Sequence, residues 1–118
     1  MASTYRKMTE TVYRPGREIR VVLDIKPPTG TLAYGLEETP PPGWTISKVG
    51  ENVTRSGSMV KIGVFFDGTN RVFNYSVVPP QTKTDAVFKG VASFNGVSEE
   101  TGGVQTLRYD TIAPRSPK

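Results

Sequence analysis

Arg17 to Lys26 reads REIRVVLDIK, and within it Ile19, Val21, Leu23 and Ile25 alternate with Glu18, Arg20, Val22 and Asp24. A period of two puts one set on a buried face and the other on the opposite face, which is the signature of a β-strand. Pro27-Pro28-Thr29-Gly30 ends the strand, because proline has no N–H for a ladder and glycine accepts the turn. The same rhythm returns at Leu32, Tyr34 and Leu36, at Val60, Ile62 and Val64, and at Phe73, Tyr75 and Val77. Ala86, Phe88, Gly90, Ala92 and Phe94 keep one parity through a longer segment. Between these runs, Pro40-Pro41-Pro42-Gly43 is a stiff corner that cannot join a central strand and hands the chain to Trp44 and Ile46. Trp44 is therefore expected in the core. Asp67-Gly68-Thr69-Asn70 predicts a hairpin loop after Phe65-Phe66, and Asn95-Gly96 predicts a two-residue hairpin turn. A last strand is expected from Val104 to Tyr109, with either Val104, Thr106 and Arg108 or Gln105, Leu107 and Tyr109 facing inward.

No window carries a helical period, and about seven to nine short strands punctuated every 8 to 12 residues or so predict an all-β immunoglobulin-like β-sandwich, with a closed barrel as runner-up. The chain has 118 residues, enough for one core, with 36% hydrophobic and 22% charged residues and with Gly 12 and Pro 10 supplying the turns. We expect an N-terminal arm over residues 1–13, the sandwich over 14–111 and a proline-broken tail over 112–118. No stretch approaches the roughly 18 apolar residues of a membrane span, and the start has no apolar run of the signal-peptide kind, so synthesis in the cytoplasm is expected.

Composition also narrows the chemistry. With His 0 and Cys 0, the commonest general base, the commonest transition-metal ligand and the thiol nucleophile are all missing. Glu37-Glu38 and Glu99-Glu100 are neighbours on strands, so each pair points to opposite faces and cannot converge on one bond. Asp67, Gly68 and Asn70 lack the spacing of a calcium loop, and the glycine-rich pieces lack a phosphate-loop pattern. No enzyme activity, cofactor, metal or catalytic residue is expected. The net charge is +4, and the basic residues near the start (Arg6, Lys7, Arg14, Arg17, Arg20) come without a groove-fitting or stacking element, so a nucleic-acid partner is not expected. Most aromatics share the parity of the aliphatics and belong to the core. Phe65 and Phe66 cannot both point inward, and the outward one, Phe66, is a candidate contact residue. An isopeptide bond joining Lys26, Lys61 or Lys89 to Asn74 or Asn95 beside a buried carboxylate is a further possibility of such sandwiches.

LAYGLEETPPPGWTISKV (Leu32 to Val49), VKIGVFFDGTNRVFNYSVVPP (Val60 to Pro80) and FKGVASFNGV (Phe88 to Val97) resemble immunoglobulin-like modules found near the C-termini of large bacterial secreted and surface proteins. The resemblance implies a cohesin- or immunoglobulin-type sandwich with a binding or spacer role. By analogy of context, it extends to the free-standing modules that tailed bacteriophages use as head decoration or cement proteins.

The expected function is accordingly that of a structural accessory protein in a virion. It would be made in the host cytoplasm, present in many copies or as a homo-oligomer, and clamped onto a lattice of major capsid protein or a similar subunit. The alternative is a carbohydrate- or protein-binding surface module, extracellular or on a cell surface. Partner contacts are assigned to Tyr5, Arg6, Lys7, Arg14, Phe66 and Arg115. No membrane partner is expected.

Overall fold

The computed structural model describes residues 3–110. Among these, the alternating runs become thirteen strands: β1 (Thr4–Met8), β2 (Val12–Tyr13), β3 (Ile19–Ile25), β4 (Tyr34–Thr39), β5 (Thr45–Val49), β6 (Val53–Ser56), β7 (Met59–Phe65), β8 (Arg71–Val78), β9 (Ala86–Val87), β10 (Lys89–Phe94), β11 (Val97–Glu100), β12 (Gly102–Gly103) and β13 (Thr106–Tyr109). They form one five-stranded sheet in the order β12-β1-β3-β8-β5 and another in the order β11-β10-β4-β7-β6, with β2-β13-β9 as a short third ladder. The fold is an all-β sandwich, as the period-two pattern requires.

The strand of the opening decapeptide lies at the centre of the first sheet. Ile19, Val21, Leu23 and Ile25 are all buried, and opposite them on β8 lie Val77, Tyr75 and Phe73. The second sheet supplies Tyr34, Leu36, Val60, Ile62, Ala92 and Phe94. Phe65 of β7 stacks on Phe73 of β8 with ring centroids 5.4 Å apart, which joins the two halves of the core. Beneath the proline corner, Trp44 packs against Tyr13 (4.9 Å) and Phe88 (5.4 Å), and it is buried as expected. On β13 the inward set is Leu107 with the half-buried Tyr109.

Three local expectations change. Residues 4–8 are not an arm: β1 pairs in register with β3 from Thr4↔Ile25 to Met8↔Val21, and Thr4 and Arg6 are buried. The run looked polar because its inward residues are threonine and arginine, whose polar atoms hydropathy alone cannot place. The tail over 112–118 lies outside the described residues. Asp67 to Asn70 is not a hairpin loop, because β7 and β8 belong to different sheets and the loop carries the chain across the sandwich. Alternation on both sides of a turn shows that two strands exist, but not that they pair. Lastly, Leu32 precedes β4 and is exposed, and a bulge places Val64 between Gly35↔Gly63 and Tyr34↔Phe65, leaving Val64 61% exposed. The bulge shifts the parity, so that Phe65 turns inward and Phe66 outward. Asn95-Gly96 forms its tight turn, with φ of 53° and 83° and Phe94 paired to Val97.

Candidate functional site

The residues assigned to partner contact are not brought together. Tyr5 and Lys7 sit on the outer face of the first sheet, where the Lys7 ammonium pairs with Asp24 at 3.1 Å. Arg14 is held by Asp110 at 2.9 Å. Phe66 lies on the other sheet, past the end of β7, and is 83% exposed. Arg115 falls outside the described residues.

Arg6 is a correction, because it points between the sheets. Its Nε and Nη2 donate to Glu38 Oε1 (2.8 Å) and Oε2 (2.7 Å), and its Nη1 donates to the Val104 carbonyl (2.7 Å) and Gln105 Oε1 (3.1 Å). Tyr75 donates its hydroxyl to Glu38 Oε1 at 2.9 Å, and both charged side chains are fully buried. Arg6 belongs to the first sheet and Glu38 to the second, so the pair is a polar strut through the core. Its charges are desolvated, so the bidentate geometry and the extra hydrogen bonds are what make it tolerable. The strut explains two glycines. A Cβ on Gly90 would run into Glu38 Oε2, and one on Gly103, whose φ is 83°, would run into the Arg6 backbone. Burial first, and the Glu38 charge second, push the Tyr75 hydroxyl well above the ordinary phenol range.

The same geometry settles the carboxylate readings. Glu37 faces out and Glu38 in, and both Glu38 oxygens are engaged by Arg6 and Tyr75. Lys26, Lys61 and Lys89 are all exposed, so none of them lies beside that buried carboxylate. Asp67 is taken by Arg71 through both oxygens (2.8 and 3.0 Å) and by the Thr69 amide (3.0 Å). The Arg71 hydrogen bonds, with the Thr69 amide, lower its pKa to about 2. Among the described residues no cluster of three or more His, Cys, Asp or Glu could hold a metal ion.

What the strand register does assemble is a trench. Directly opposed residues in a ladder share a face. Reading the pairs Ser93↔Ser98, Ser93↔Gly35 and Gly35↔Gly63 gives one row of small residues, Ser98-Ser93-Gly35-Gly63, across four strands on the outer face of the second sheet. At ~4.8 Å per strand this floor runs roughly 14 Å. The pairs Val91↔Glu100, Val91↔Glu37 and Glu37↔Lys61 give the wall beside it, Glu100-Val91-Glu37-Lys61. On the opposite side Val64, displaced outward by the bulge, leans over Gly35 and lies within 3.7 Å of where a Gly35 Cβ would sit. The resulting groove holds about 500 Å³ and includes Ala33 and Gly96 at its rim. Sequence reasoning missed it because Ser93, Gly35 and Gly63 become neighbours only through strand pairing. The bulge at Val64 leaves no trace in hydropathy.

No protein-family model matches the chain, and no curated protein matches it in sequence. Solved structures do resemble it. The reeler domain of human F-spondin aligns with a TM-score of 0.65 at 15% identity, over 92% of this chain and 89% of that one. A non-cellulosomal cohesin from the archaeon Archaeoglobus fulgidus gives 0.60 at 15%, over 95% and 94%. A type II cohesin domain from the cellulosome of Acetivibrio cellulolyticus gives 0.53 at 12%, over 93% and 95%. The chain has a cohesin-like β-sandwich fold. At these identities the likeness concerns the fold, and the cohesin part of the sequence resemblance agrees with it.

Proposed function

We propose that this chain is a non-catalytic protein-binding module that docks through the outer face of the β11-β10-β4-β7-β6 sheet. The observation that carries the reading is the trench of small residues between the Val91 and Val64 walls, a formed concavity on an otherwise regular sheet face. Two of the solved folds it resembles are cohesins, one of them from a cellulosome, which supports an extracellular or cell-surface assembly as the setting. A protein partner is favoured over a carbohydrate because sugar platforms need converging exposed rings. Here Trp44, Phe73, Tyr75, Phe88 and Phe94 are buried, and Tyr5 and Phe66 lie on different sheets. The capsid-decoration reading has the two terminal arms and one sandwich face clamp the lattice; of these, the N-terminal segment is not free, since β1 is paired in the sandwich and Arg6 is locked inside it. None of the three resemblances above is to a capsid protein.

A photo-crosslinker placed at Val91, on the trench wall, tests the proposal against one placed at Val72, an exposed valine on the opposite sheet. In extract of the source cells, the Val91 probe should give a discrete protein adduct and the Val72 probe none. The adducted protein, once purified, should compete for that crosslink. Equal adducts from both sites, or from Val72 alone, would overturn the reading.

A further inference from the structure

The trench and the most exposed large apolar side chain lie on the same face. Phe65 is turned into the core against Phe73 and pairs with Tyr34, so Phe66 follows it outward beside Ala33, and Ala33 lines the trench. At 83% exposure it is a knob with no local cover, and two residues along β4 from Ala33, roughly 7 Å away, lies the glycine and serine floor. A knob and a hole on one surface complement each other about a two-fold axis lying in the interface midway between them. The geometry points to a second copy of this chain as occupant of the trench, with Phe66 of each copy seated over Gly35, Gly63 and Ser93 of the other. This inference rests on the proposed docking face and names its partner.

Charge supports the self-pairing. The chain carries a net +4, so two copies repel over most approaches, but the charged residues of this wall are Glu37, Glu100 and Lys61, and Lys61 is already paired with Glu37 at 3.8 Å. This row carries two carboxylates and one ammonium, so it adds no excess positive charge to the approach of two basic copies. Size sets the strength. Five strands at ~4.8 Å and about six residues at ~3.3 Å span roughly 480 Å² in projection, about 60% of the ~800 Å² per partner that stable complexes bury. The dimer is therefore weak and concentration-dependent.

Sedimentation velocity of the full chain over a wide concentration range tests this. The mean mass should climb from monomer to dimer and level off there. Phe66→Ala, which removes an exposed side chain, should keep the parent's melting curve and raise the concentration needed for dimerisation about tenfold or more. Ser93→Trp, which fills the trench, should do the same, while Val72→Ala should change nothing. A chain that stays monomeric at every concentration, one that grows past the dimer, or one that dimerises equally well without the Phe66 ring contradicts the inference. If it stays monomeric while Val91 still crosslinks to a different protein, the self-pairing fails and the docking face stands.

Discussion

Arg6 shows what a single residue's chemistry hides and what it decides. In the sequence it stands beside Lys7 in a basic, solvated-looking start, and nothing local ties it to Glu38, which is 32 positions away. Only pairing of β1 in the sheet turns it inward. Removing one member of a buried ion pair strands the other charge, so Arg6→Met should cost about 3 to 5 kcal/mol in urea denaturation. Replacing the strut as a whole with Arg6→Met, Glu38→Leu and Tyr75→Phe should recover most of that loss. If the single and triple variants are equally unstable, the strut is not what Arg6 contributes. Tyr75 adds a test in alkali. Its folded-state pKa is raised, so the stability it confers is complete below the ordinary phenol value of ~10 and declines as pH rises above it. Tyr75→Phe should flatten that decline. Asp67 works at the acid end with the opposite sign. Its pKa is lowered to about 2 from an ordinary ~3.9, so its contribution is present above pH ~4 and lost as pH falls toward 2. The stability difference between the parent and Asp67→Asn should shrink across that window.

At the level of elements, most strands were legible and most of their partnerships were not. Ile19 to Ile25, Phe73 to Val77 and Ala86 to Phe94 declared their buried faces through period two, and the structure buries those residues, with Gly90 left small for Glu38. The Asn95-Gly96 turn could be read because two adjacent positive φ values demand such residues. The crossing at Asp67 to Asn70 could not be read, since a loop within a sheet and a loop between sheets draw on the same turn residues. Nor could the bulge in β7, although it directs Val64 and Phe66 to the surface and so shapes the candidate site. Gly63 is the residue that permits it. Its φ is 98°, and an added Cβ would lie 3.0 Å from the Tyr34 carbonyl and 3.1 Å from Gly35 Cα. Gly63→Ala should therefore cost about 1 to 2 kcal/mol in denaturant unfolding, whereas Val64→Ala, at an exposed position, should stay within about 0.5 kcal/mol. Equal effects from the two changes would mean that the bulge does not depend on glycine.

The whole molecule divides its labour between an interior fixed by a polar strut and aromatic packing and one outer face shaped as a trench. Composition excludes histidine and cysteine chemistry, but it could not say which face carries the trench, because that depends on register across four strands. The absence of cysteine makes the central claim open to direct measurement, since any introduced thiol is unique. Val91→Cys on the trench wall and Val72→Cys on the opposite sheet can be compared by maleimide labelling, first in dilute purified protein and then in the assembly it forms with the protein that crosslinks at Val91. The account predicts fast reaction at both sites in the dilute protein and protection of the Val91 position alone in the assembly. Protection of Val72, or undiminished reactivity at Val91 in the assembled state, would contradict it.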